Sequence, residues 1–133
     1  MTALDDLVPR VKAAAATRGG PWTLAQTLSH CAQSIEYSLT GYPKDANVVV
    51  RKIFGPMVMR KFLRNGAMKH DLGAAIPGAP ALDDDVEHAR ARLLAAIASF
   101  AAASATKPHF AYGPVSHADY ARLHAMHLVD HFG

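Results

Sequence analysis

Apolar positions recur along this chain at the three-to-four-residue spacing of helices, and nowhere with the strict alternation of half-buried strands. The only β-branched cluster is "NVVV" at 47–50. Four segments read as helices, separated by glycine and proline. The first covers roughly Thr2 to Thr17 and stops before Gly19-Gly20, with Pro9 requiring a late start or a kink. The second runs from near Trp22 to Thr40, with a core stripe of Leu24, Leu28, Cys31, Ile35 and Leu39. The third starts within "LDDDVEHARARLLAAIASFAAASA", where the aspartates suit a helix N-terminus and Val86, Leu93, Ile97 and Phe100 supply a buried face. The fourth opens at Ser116, a good N-cap, and continues to the C-terminus.

Residues 41–82 connect the second helix to the third, with a short helix expected near Gly55 to Asn65 and an irregular return through "GAAIPGAPAL". So long a crossover frees the two helices it joins from being antiparallel neighbours. The expected fold class is all-α: a four-helix bundle with a long crossover between helices 2 and 3, in one domain spanning 1–133.

Composition changes this picture little. Half the 133 residues are apolar, enough for one core, and a net charge of +3 is too small to suggest disorder. A single cysteine excludes an internal disulfide and fits a reducing compartment. No run is long enough for a membrane span, and "MTALDDLVPR" lacks the basic-then-apolar order of a signal peptide, so a cytoplasmic location is expected. From Ala46 to His70 there is no acidic residue, whereas Arg51, Lys52, Arg60, Lys61, Arg64 and Lys69 are all basic. Phosphate binding would use such charge, but the segment has only Phe54 and Phe62 as stacking platforms and no helix-turn-helix pattern. A solvated amphipathic segment is the preferred reading and a rim for an anionic substrate or partner the next; nucleic acid is not favoured. A bundle with one exposed apolar face would pair as a homodimer, but the pattern marks no such face.

Histidine does change the picture. Five of the eight histidines (His109, His117, His124, His127 and His131) fall in the last 25 residues. With Tyr120 at zero on a helical projection, His124 lies near ~40°, His127 near ~340° and His131 near ~20°. His127 and His131 have the i, i+4 spacing that brings two imidazoles to one metal ion. The competing reading is a helix C-terminus that favours imidazolium through its dipole; a metal or catalytic role is preferred. A third ligand must come from elsewhere. His30 aligns with Gln26, Gln33 and Tyr37 on a polar stripe, which is either solvated surface or the wall of a wet pocket. Cys31 lies on the apolar stripe and reads as a buried core thiol, and Trp22 as a packing anchor over the bundle end. His70, His88, His109 and His117 fall in loops or at helix starts, where solvent exposure is expected.

"WTLAQTLSHCAQSIEYSLTGYP" and "HFAYGPVSHADYARLHAMHLVDHFG" together resemble the DinB/YfiT-like superfamily of metalloenzymes, and more narrowly an uncharacterised branch of it. The shared features are a tryptophan-led second helix with one histidine, an aromatic-glycine turn (Tyr112-Gly113 here) and a final helix bearing HxxxH. The resemblance implies a four-helix bundle with a divalent metal on His30, His127 and His131. Relatives often carry adjacent histidines near the end of the motif, where this chain has Asp130-His131. His124 falls outside the triad as a pocket residue, and Tyr120 and Tyr37 are the candidate proton donors. Three imidazoles leave a coordination position open, as in catalytic zinc sites, and suit zinc or nickel. The implied activity is a small-molecule transferase using a low-molecular-weight thiol, or a hydrolase, with a non-catalytic small-molecule or stress-response binding protein as the alternative.

Overall fold

A computed structural model of the chain describes residues 3–133. Among them are five α-helices and no strand: α1 (Val8–Ala13), α2 (Leu24–Thr40), α3 (Gly55–Asn65), α4 (Val86–Ala102) and α5 (His117–Phe132). The all-α expectation therefore holds. A 3-10 turn, Leu4–Leu7, precedes α1, and a π-helical turn, Val50–Phe54, leads into α3. No helix is long and apolar enough to cross a membrane among the described residues.

The helix starts follow from local chemistry. Thr23 and Gln26 form a capping box at the head of α2, each side chain satisfying the other's backbone N–H. Asp85 accepts from His88 N at α4 and Ser116 from Asp119 N at α5. The first helix is shorter than its pattern suggests. Pro9 sits in the opening turn of α1, where its missing N–H costs nothing, and the chain leaves the helix at Ala14; Thr2 lies outside the described residues. Arg90 explains the early stop, because its guanidinium donates to the Val11 and Ala14 carbonyls at 2.7 and 2.9 Å. The extended segment that follows carries Arg18 to the end of α5, where its backbone N–H donates to His131 O.

The core forms where α2 lies along α4, with α1 against α4 and α5 against α2, α3 and the 3-10 turn. Leu28, Cys31 and Ile35 from the α2 stripe are fully buried with Leu93, Ile97 and Phe100 of α4 and Tyr120, Leu123 and Leu128 of α5. Burial pushes the Cys31 thiol well up, which leaves it a core group and a poor nucleophile. The crossover is tied to α2 by hydrogen bonds near both its ends: the Tyr42 hydroxyl donates to Ser34 O, Gln33 donates to Pro80 O, and Ser29 Oγ accepts from Asp83 N. Glu36, also on α2, holds Arg92 of α4 through two hydrogen bonds of 2.6 and 2.9 Å. Along the basic segment, Arg51 pairs with Asp45, and Val48, Val49, Ile53, Phe54, Met57 and Val58 are exposed, so that segment is amphipathic and largely at the surface.

Gly55 opens α3 where the chain crosses the turn before α5. A Cβ placed there would lie 1.7 Å from the Ala111 carbonyl oxygen and 2.6 Å from its carbon. Both obstacles are backbone, so neither can swing aside. Gly55→Ala is expected to destabilise the fold by about 1–3 kcal/mol, the usual range for overpacking, as a lower melting temperature by circular dichroism. An unchanged melting temperature would show that the turn moves freely.

Candidate metal centre

His30 of α2 faces the His127–His131 pair of α5. Potential ligand atoms of these three residues all lie within 4.8 Å of one another, so they could hold a metal ion. His30 Nε2 is 3.1 Å from His127 Nε2. Two nitrogens bound about 2.0–2.1 Å from one zinc ion stand roughly 2.9 Å apart at a right angle and roughly 3.3 Å apart at the tetrahedral angle. The observed spacing lies between these.

The middle of the polar stripe on α2 is buried, with His30 4 % exposed and Gln33 1 %, whereas Gln26 and Tyr37 at its ends are half-buried. The crossover covers it, which no periodicity on α2 could announce. Trp22, just before the capping box, packs on His30 at 4.7 Å between ring centroids and on His131 at 6.4 Å. It is thus an anchor placed on the histidines themselves.

Burial and mutual repulsion keep these rings neutral. Desolvation, then the neighbouring imidazoles, hold His30 down at about 3, and desolvation with His70 holds His131 at about 4. His127 is depressed well below the usual imidazole range, first by burial and then by His30. Neutral imidazole is the form that binds metal. The buried Nδ1 atoms of His30 and His131 have no hydrogen-bond partner, a cost of about 1–3 kcal/mol apiece. Coordination through the opposite nitrogen is the kind of gain that offsets it.

Two residues that the pattern does not nominate belong to this neighbourhood. His70, expected in solvent, lies instead against α5, with its Nε2 3.1 Å from His131 Nε2 and its ring centroid 4.8 Å from that of His127. Asp130 is 5 % exposed and accepts the His70 backbone N–H through Oδ2. The same oxygen is 2.6 Å from His70 Nδ1, close enough for an ion pair but off the line of a hydrogen bond. Arg18 holds the other oxygen at 2.7 Å and also donates to the Asp130 carbonyl. An acidic residue beside HxxxH was the available signal for Asp130; His70 sits in irregular chain and carried none.

A cavity of about 270 Å³ opens beside the imidazoles. His30, His70 and His127 line it with Met68, Ile76 and Pro77 of the crossover and with Tyr42, His109, Tyr112, Tyr120 and His124. His109 is largely withdrawn from water and held at about 3 by that burial; its Nδ1 accepts the Ala111 and Tyr112 backbone N–H groups, which places the proton of the neutral ring on Nε2. His124 lines the cavity as expected, with its Nε2 donating to Ser38 Oγ, which itself donates to Ile35 O. Tyr120 is also at the cavity, but its hydroxyl donates to Lys107 O at 2.7 Å and its acidity is lowered by burial. Tyr37 packs on Tyr42 and is not among the lining residues. His117 stacks on Phe100 and donates to its carbonyl, so it too is less free than expected, whereas His88 is exposed beside Asp83.

Residues 1–133 match the family of proteins of unknown function designated DUF1569. The chain belongs to that family. No curated protein and no solved structure matches it.

Proposed function

We propose that this chain is a metal-dependent enzyme holding zinc or nickel on His30, His127 and His131, within a four-helix bundle of the DinB/YfiT type. The observation that carries the reading is the convergence of buried, neutral imidazoles at one end of an aromatic-lined cavity. The bundle assignment is supported by ligands on α2 and α5 and by a crossover, bearing α3, between α2 and α4.

A divalent metal held there supplies Lewis acidity toward water, a thiol or a carbonyl. Neutral ligands leave its double positive charge uncompensated in an apolar surrounding, which favours an anionic partner such as a thiolate. None of the described residues lining the cavity is acidic, so no carboxylate is placed there as a general base for hydrolysis. Both points favour thiol-dependent group transfer over hydrolysis. Trp22 shields the histidines on one side, and His109 offers an N–H to a polar group of the substrate.

Metal-loaded protein assayed with several low-molecular-weight thiols and electrophiles is expected to show thiol-dependent turnover that His127→Ala abolishes. No turnover with any pairing would overturn the transferase reading. The second reading, a non-catalytic small-molecule binder, draws on the engagement of the Tyr42 and Tyr120 hydroxyls with backbone carbonyls, which withholds both from proton donation. It predicts that binding survives loss of the three histidines.

A further inference from the structure

We propose that His70 is a fourth metal ligand, delivered by the crossover and oriented by Asp130. This rests on the three-histidine reading above and extends it. His70 Nε2 stands 3.1 Å from His131 Nε2, the same spacing that relates His30 to His127. Its ring packs against both His127 and His131 with centroids 4.8 Å apart in each case. The four rings thus gather as two Nε2 pairs, each at a distance that suits an imidazole hydrogen bond or two ligands of one metal ion.

The surroundings of His70 are those of a ligand. Metal-bound histidines commonly present their other ring nitrogen to a carboxylate, which fixes the ring and raises its basicity. Asp130 stands beside that nitrogen, with Oδ2 2.6 Å from Nδ1 though off the line of a hydrogen bond, and accepts the His70 backbone N–H at 3.2 Å. Arg18 in turn holds Asp130 at 2.7 Å. A residue of irregular chain is thereby attached to α5 one position from His131, which brings the crossover to the histidine cluster as well as to the bundle. His30, His70 and His127 line the cavity and His131 is not among its lining residues, so a metal held by all four that takes a fifth ligand would receive it from the cavity side.

Cobalt(II), a coloured substitute for zinc, tests this without any substrate. Wild-type protein, His70→Ala, His70→Gln and Asp130→Asn would be titrated with cobalt, reading affinity and the visible absorption bands. Melting of the metal-free proteins serves as the folding control. Loss of an outer-shell partner alone costs about 10–100-fold in metal affinity, so both His70 variants are expected to lose at least that much and to shift the bands, with Asp130→Asn intermediate. Folded His70→Gln protein with wild-type bands and affinity within about twofold would overturn the assignment while leaving the triad standing; the lower limit expected for a lost ligand is about tenfold. A wild-type chain that takes up no cobalt would instead overturn the metal reading itself, and this inference with it.

Discussion

Protein carrying His127→Ala, purified without a histidine tag, is expected to retain less than about a tenth of the divalent metal found in the wild type, given the 10–100-fold affinity cost of even an outer-shell change. His127 is in ring contact with His30, His70 and His131, with its Nε2 3.1 Å from that of His30. Removing it withdraws one of the paired donors on α5 and leaves only His30 and His131 of the triad, on separate helices. Elemental mass spectrometry of both proteins, before and after incubation with zinc or nickel, makes the measurement. The side chain is only partly buried, so the fold should persist, with a melting temperature a few degrees lower. Equal metal in both proteins would remove His127 from the ligand set. A wild type that binds neither metal would reduce the histidine cluster to a packing feature.

The second large effect is on acid stability. His30, His109 and His124 are held at about 3 and His131 at about 4, in each case first by burial. Each folded-state value lies below the ordinary 6.5, so the unfolded chain binds more protons than the native one and stability rises with pH across the interval between them. The stabilisation is complete above about 6.5 and falls as the pH drops toward 4 and 3. Each such group can contribute about 1.4 kcal/mol per pH unit, against a typical total stability of about 5–15 kcal/mol. Several such groups protonating on unfolding can exhaust that total within a few pH units. Metal-free protein is therefore expected to unfold cooperatively between about pH 6 and 4, followed by circular dichroism. Bound metal competes with protons for the same nitrogens and should move the transition to lower pH. Metal-free protein that remains native at pH 4 would show that the buried histidines find compensation on protonation.

The two results depend on different residues. Metal loss concerns the α5 pair and its partners, whereas acid lability also draws on His109 and His124. Replacing His124 by glutamine, which keeps an N–H for Ser38, is thus a route to separating them.

Much of the architecture was legible because it is decided locally. Thr23, Asp85 and Ser116 cap helices through oxygens that reach backbone N–H groups three residues on, and Gly66 in the left-handed conformation ends α3 at Asn65. The common face of Tyr120, His124, His127 and His131 follows from helical geometry alone. The pairing of His30 with that face could be transferred only through a family resemblance, since its stripe reads equally as surface. Its burial depends on the crossover, which Gln33 and Ser29 hold down from 47 and 54 residues away in sequence. The early end of α1 likewise depends on Arg90, far along the chain.

By itself, then, the sequence determined the helices, their caps, the buried stripes and the alignment of three histidines on α5, because each of these is governed by neighbours within about one turn of helix. Only the tertiary structure decided that His30 faces them, that Asp130 and Arg18 anchor His70 beside them, and that a cavity opens there. Those features join α2, irregular chain and α5, and the energies that select them are contacts between residues with no periodic relation in sequence.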